Sequence, residues 1–152
     1  MSNVNRSRND NIKCFKCNIR NIIYYFSIMN NSDNSDNSDN SNNSNNIVVF
    51  DMDQTLGHFE QISIFWFALK GYFLSKNNIQ LNNYNFYNLL DIFNLVLRPK
   101  IFKILNYLKK QKKDGLCKNV MIYTNNQDKQ WSELIKDYFN YKLKYKLFDI
   151  VI

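Results

Sequence analysis

The chain has 152 residues, which suits one domain, and 45% hydrophobic with 16% aromatic residues is ample for a core. Three Gly and one Pro leave regular elements dominant, and three Cys exclude a disulfide framework, so a reducing compartment is expected: the cytoplasm, with the nucleus as the alternative. No stretch approaches the ~20 apolar residues that span a bilayer, which excludes a transmembrane segment, and the net charge of +7 favours phosphorylated or nucleic-acid partners.

Residues 1–29 read as a basic, partly apolar leader, expected to be poorly ordered. Cys14 and Cys17 form one C-x-x-C without the second pair that a zinc site needs. Residues 22–29 look superficially like a signal-peptide core but lack a small-residue cleavage site. Residues 30–46 repeat Asn, Ser and Asp with no apolar residue, so nothing offsets their ordering entropy and a disordered linker is expected. The folded domain is therefore placed at 47–152.

Ile47-Val48-Val49-Phe50 is a continuous apolar run, as in a parallel strand buried on both faces. Residues 61–74 and 84–97 are strongly apolar and predict a mostly helical, cap-like insertion after that strand. Arg98-Pro99 opens a helix with Pro at its first position, and Ile101, Ile104, Leu105 and Leu108 form the buried stripe. Val120-Met121-Ile122-Tyr123 reads as a second buried strand. A helix with Trp131, Leu134, Ile135 and Tyr138 on one face follows, and residues 148–152 read as a third strand. Strand and helix alternate, which predicts an α/β fold with right-handed parallel connections. Residues 47–152 hold 15 Lys/Arg against 9 Asp/Glu, and eight of the bases lie between Arg98 and Lys118. That cluster fits a solvated helix face or a polyanion-binding surface. The aromatics are not interleaved with Arg and Gly, so base stacking is unsupported.

The informative string is Asp51-Met52-Asp53-Gln54-Thr55-Leu56, directly after the first strand. Open parallel sheets bind ligands at the carboxyl ends of their strands. Two carboxylates there repel each other and suit Mg²⁺, with one attacking phosphorus and the other managing a proton. Thr55 can fix the loop by a side-chain hydrogen bond. Alone, the string fits equally a capped turn or the metal-binding D-x-D of a nucleotide-sugar transferase. Thr124 breaks the tie: a second apolar strand ends in Thr124-Asn125-Asn126 just before a helix, where a hydroxyl and backbone N–H groups make an anion cradle.

These strings resemble the haloacid-dehalogenase (HAD) superfamily. Residues 47–56 are similar to its first motif, an apolar strand running into D-x-D-x-T-L, and Met121-Ile122-Tyr123-Thr124 to its second. Thr55-Leu56 followed by His58, then Leu97-Arg98-Pro99, is similar to the phosphatases acting on the carboxy-terminal domain of RNA polymerase II. The resemblance covers 47–152 and implies a Rossmann-like three-layer core with a parallel sheet. It implies Mg²⁺-dependent transfer through an aspartyl-phosphate, on a phosphorylated protein or small molecule. Asp51 is then nucleophile and metal ligand. Asp53 is acid/base through its carboxyl group and second metal ligand through its carbonyl, and Thr124 with the Asn125 amide holds the phosphoryl oxygens.

The resemblance also implies a later Lys or Arg and an acidic pair, and the sequence ends before either; Lys142, Lys144 and Lys146 precede the last strand and are not assigned that role. The expectation is a sheet incomplete at its C-terminal side, as in a truncated product or a half that assembles with something else. Strand 47–50 is then an open apolar edge that invites self-association or a partner chain. Mg²⁺ affinity should be weak and turnover impaired or absent. A catalytically degenerate HAD-like binding protein is therefore the main alternative to an active phosphohydrolase, with the sugar transferase and polyanion binder behind it.

Overall fold

The computed structural model describes residues 46–152 and the backbone of Tyr25–Ser27; the remaining leader and linker, with Cys14 and Cys17, lie outside the described residues. Strand β1 (Tyr25–Ser27) is followed by β2 (Ile47–Asp51), α1 (Glu60–Asn77), α2 (Asn83–Ile92), a 3₁₀ turn (Asn94–Val96), α3 (Ile101–Lys113), β3 (Asn119–Tyr123), α4 (Lys129–Leu143) and β4 (Phe148–Val151). The sheet order is β1-β2-β3-β4, with β2, β3 and β4 parallel and β1 antiparallel. The α/β class and three-stranded parallel set thus match the sequence expectation. The β1 pairing does not, because it covers the edge of β2 that was expected to be open.

β2 and β3 alternate rather than being buried on both faces. Val48, Phe50, Val120 and Ile122 are fully buried, whereas Ile47, Val49 and Met121 are half-buried. The sealed face is the one the helices cover. Phe50 meets Phe148 edge-on, Phe148 meets Phe139 of α4, and Phe139 meets Phe102 of α3 and Phe59 just before α1. Tyr87 of α2 packs on Tyr138, and Phe86 links Trp66 of α1 to Trp131 of α4. Helices α1, α2 and α3 therefore gather around α4 on one side of the sheet. Among the described residues there is one helical layer, not the two of a three-layer core, and α1 and α2 share the main core instead of standing off as a cap. No helix among the described residues is long and apolar enough to cross a membrane.

Helix α3 begins at Ile101, two residues after Pro99, so Pro does not occupy its first position. Lys100, at the N-cap, takes a left-handed φ of 65° that redirects the chain into the helix. The expected stripe holds, with Ile101, Leu105 and Leu108 buried and Ile104 half-buried.

Between β3 and β4 the register shifts at Val120/Met121, which pair with Phe148 and Ile150, so Asp149 has no partner in the ladder. Its carboxylate compensates. It accepts the Val120 N–H at 3.0 Å and both its oxygens accept from Lys112 Nζ at 2.7 Å. Lys112 also donates to the Leu147 carbonyl at 2.9 Å, tying the end of α3 to the start of β4. These side chains are only 13% and 28% exposed, so water replaces the bonds poorly. Lys112→Met should cost about 1–3 kcal/mol, since an unpaired, half-buried Asp149 remains. Urea unfolding checks this, and Lys112→Met with Asp149→Asn should cost less than the sum of the single changes.

Candidate active site at the carboxyl edge of the sheet

Asp51 closes the β2 ladder opposite Tyr123, and the Met52 N–H extends it by donating to the Tyr123 carbonyl at 2.9 Å. Met52 is fully buried, whereas Asp51 and Asp53 on either side of it are exposed. An apolar anchor between two acids thus holds both carboxylates at the sheet edge. The chain then turns tightly. Leu56 N–H donates to the Met52 carbonyl at 3.0 Å, Gln54 N–H to the Gly57 carbonyl at 2.7 Å, and Gln54 adopts a left-handed φ of 60°. The Thr55 hydroxyl, only 5% exposed, donates to Asp51 Oδ2 at 3.1 Å and so fixes one oxygen of that carboxylate.

The turn is braced by the segment returning from α2. His58 N–H donates to the Val96 carbonyl at 2.7 Å, Arg98 N–H to the Leu56 carbonyl at 3.0 Å, and Arg98 Nε to the Gln54 carbonyl. This approach leaves no room at Gly57, where a Cβ would lie 2.7 Å from the Phe59 ring and 2.8 Å from the Val96 carbonyl oxygen. Phe59 is itself buried, so its ring cannot swing out of the way. Gly57→Ala should therefore cost about 1–3 kcal/mol through overpacking, measurable as a lower urea midpoint at unchanged m-value.

Thr124 leaves β3 beside this turn. Its N–H is taken by the Ile152 carbonyl at 3.0 Å, and its hydroxyl oxygen accepts the Asn126 N–H at 3.1 Å. The Thr124 side chain comes near enough to the Asp53 carboxylate to pull its pKa down. Asn125 lies alongside, its side-chain oxygen accepting from the Tyr123 hydroxyl at 2.9 Å. Thr124 does not start the following helix. The N-cap of α4 is Asp128, which accepts the Trp131 N–H at 3.1 Å, so the expected cradle at the helix start is instead a turn ahead of it.

A cleft of about 740 Å³ opens from this edge, walled by Asp53, Gln54, His58, Glu60, Asn125 and Trp131 among others. Asp51 and Thr124 are not part of its lining, so the cleft reaches the pair from the Asp53 side. Sequence reasoning missed His58, Glu60 and Trp131 as cleft residues and Gly57 as a steric requirement. Gly57 had a local signal as the one glycine of the turn, and His58 had one as part of the string after Leu56.

Burial raises the Asp53 pKa above the ordinary carboxylate value. The Asp51 charge adds to the rise, the Thr124 hydrogen bond offsets part of it, and Glu60 contributes a further increase. A raised folded-state pKa means that ionised Asp53 costs stability above its titration range, and the cost disappears as pH falls through that pKa. Asp53→Asn should therefore melt higher than the parent at neutral pH, with the gain vanishing at acidic pH. Thermal unfolding across a pH series reads the difference.

Among the described residues no group of three or more His, Cys, Asp or Glu is placed to hold a metal ion. The donor set at the edge is two carboxylates and nearby carbonyls. Two carboxylates fall short of a closed metal cage, and an open Mg²⁺ site would need phosphate and water to complete its shell. No family model matches the chain, and neither a curated protein nor a solved structure does.

Proposed function

We propose that this chain carries a HAD-like phosphoryl-transfer site, with Asp51 as nucleophile and Asp53 as acid/base. What supports the reading is that Asp51 and Thr124 stand at the carboxyl ends of adjacent parallel strands and that the Asp53 pKa responds to both. The Arg98 bonds to Leu56 and Gln54 add support, because they join in space the two strings that resemble the polymerase-domain phosphatases.

The chemistry follows from the contacts. Thr55 occupies one oxygen of Asp51, leaving the other to attack phosphorus and form an aspartyl-phosphate as the bond to the leaving oxygen breaks. Asp53, whose protonated form is favoured by burial and by Asp51, gives its proton to that leaving oxygen. It then takes a proton from the water that cleaves the acyl phosphate, releasing inorganic phosphate and restoring Asp51. Once Asp53 is protonated the Thr124 hydroxyl proton is free of it, so that hydroxyl and the Asn125 amide hold the phosphoryl oxygens, and the phosphorylated protein or small molecule enters by the cleft. The Asp51 carboxylate and the Asp53 carbonyl would hold Mg²⁺, which would supply charge neutralisation to the phosphate.

One observation favours a second reading, a catalytically degenerate binding protein. Among the described residues the metal donors stop at two carboxylates, and no Lys or Arg lines the cleft to offset a phosphate dianion. Hydrolysis of an aryl phosphate with Mg²⁺ separates the two. The phosphatase reading expects turnover that Asp51→Asn abolishes and Asp53→Asn lowers by about 10²–10⁴-fold. Turnover unchanged in Asp51→Asn would remove the nucleophile. No turnover in the parent, with weak Mg²⁺ binding that Asp51→Asn eliminates, would leave the binding protein.

A further inference from the structure

The end of the sheet opposite the candidate site carries unbalanced charge. Because β2, β3 and β4 run parallel, α3 and α4 both end at the edge where those strands begin. Roughly 17 Å of strand separates that edge from Asp51 and Thr124.

Two segments distant in sequence meet there. Lys109 and Lys113 of α3 stand over the Tyr145 ring, 5.7 and 5.4 Å from its centre, and Tyr145 sits between Lys144 and Lys146 in the turn after α4. Lysines are common at helix ends because they bond the last free carbonyls. Lys109 does so, donating to the Leu143 carbonyl at 2.7 Å. Lys113, Lys144 and Lys146 do not. All three are exposed, and among the described residues their amino groups have neither a hydrogen bond nor an ion pair. Asp149 nearby is already held by Lys112, which leaves only Asp114, at the α3 C-cap, to offset them.

A groove of about 770 Å³ runs past this turn, lined by Lys144, Lys146, Tyr141 and Tyr145. Lys136 and Lys142 also line it, each already paired with a carboxylate, and the one acid in its wall, Asp137, lies 3.8 Å from Lys136. Tyr141 stacks on Tyr87 at 4.9 Å yet is 51% exposed, so the core holds a ring that the groove can still reach.

We propose that this groove binds single-stranded nucleic acid, with Lys113, Lys144 and Lys146 against the phosphates and Tyr141 and Tyr145 against the bases. A single strand carries a charge at every nucleotide and has bases free to stack, so it needs a cationic track beside aromatic rings. An acidic protein fits less well. Protein interfaces are depleted in Lys, and carboxylates are gripped best by the guanidinium fork. The one Arg between 46 and 152, Arg98, is bound to the Gln54 carbonyl at the other end of the molecule. A duplex hides its bases and would leave both rings without a partner. The groove stands apart from the Asp53 cleft and does not depend on what the cleft does.

Fluorescence anisotropy of the full chain with labelled oligouridylate or oligothymidylate, over a salt series, tests this. Affinity should fall with salt at a log–log slope of about −2, or ~0.7 for each of the three lysines. Lys144→Gln with Lys146→Gln breaks no bond of the fold, so the melting temperature should hold while binding weakens about tenfold and the slope flattens by about 1.4. Tyr141→Leu should weaken binding about tenfold, and Tyr141→Phe should leave it unchanged. No binding at low salt, or equal affinity for polyglutamate or a duplex, would overturn the proposal. So would affinity untouched by the lysine pair, as when the basic leader holds the strand, or by Tyr141→Leu.

Discussion

The candidate site depends on the parallel register between β2 and β3. Asp51 opposes Tyr123, and the ladder runs one bond further, from the Met52 N–H to the Tyr123 carbonyl. That last bond fixes where both strands end, and with it the distance between the first acid pair and Thr124. A slip of one residue would turn Val48 and Phe50 out of the core, exchanging buried for exposed side chains along the whole strand. Phe50 is fully buried and braced edge-on against Phe148, so the core itself enforces the alignment that brings Asp53 to Thr124.

Local charge repulsion is the cost of this arrangement, and the surrounding contacts are arranged to bear it. Asp53 is pushed toward its neutral form by burial and by Asp51, while Thr124 offsets part of that rise and Thr55 supplies a hydrogen bond to Asp51. Met52 and Leu56, both fully buried, clamp the turn from below, and Arg98 holds it at the Gln54 carbonyl. Two carboxylates at a strand tip are thereby kept in place without an ion pair among the described residues.

Legibility in the sequence tracked the range of the interactions. The strands at 47–51 and 119–123 and the stripe on α3 were readable because apolar runs and 3.6-residue periodicity are local signals. The D-x-D-x-T turn and Thr124 were readable from residue type and position relative to those strands. The N-cap at Asp128, the Gly57 clearance and the cleft residues were not, since each is set by a segment distant in sequence that meets the turn only after folding. The same holds for the Lys112–Asp149–Val120 link. It exists because β4 skips one ladder position, and no periodicity announces a bulge. Strand β1 belongs here too, as a three-residue pairing drawn from a segment whose composition suggested no element.

The one-sided helical layer explains why the chain has apolar surface to spare. With α1, α2 and α3 gathered around α4, the ring network from Phe59 through Phe139 to Phe148 saturates the inner face of the sheet. Helix α1 reaches that network only with its first two turns, through Ile62 and Trp66. Beyond Trp66 the helix runs past the edge of the core, and Phe67 finds only the rim of Trp131. A helix so placed gains little from tertiary packing along its last three turns. Its apolar outer side is thus either a standing aggregation hazard or half of an interface.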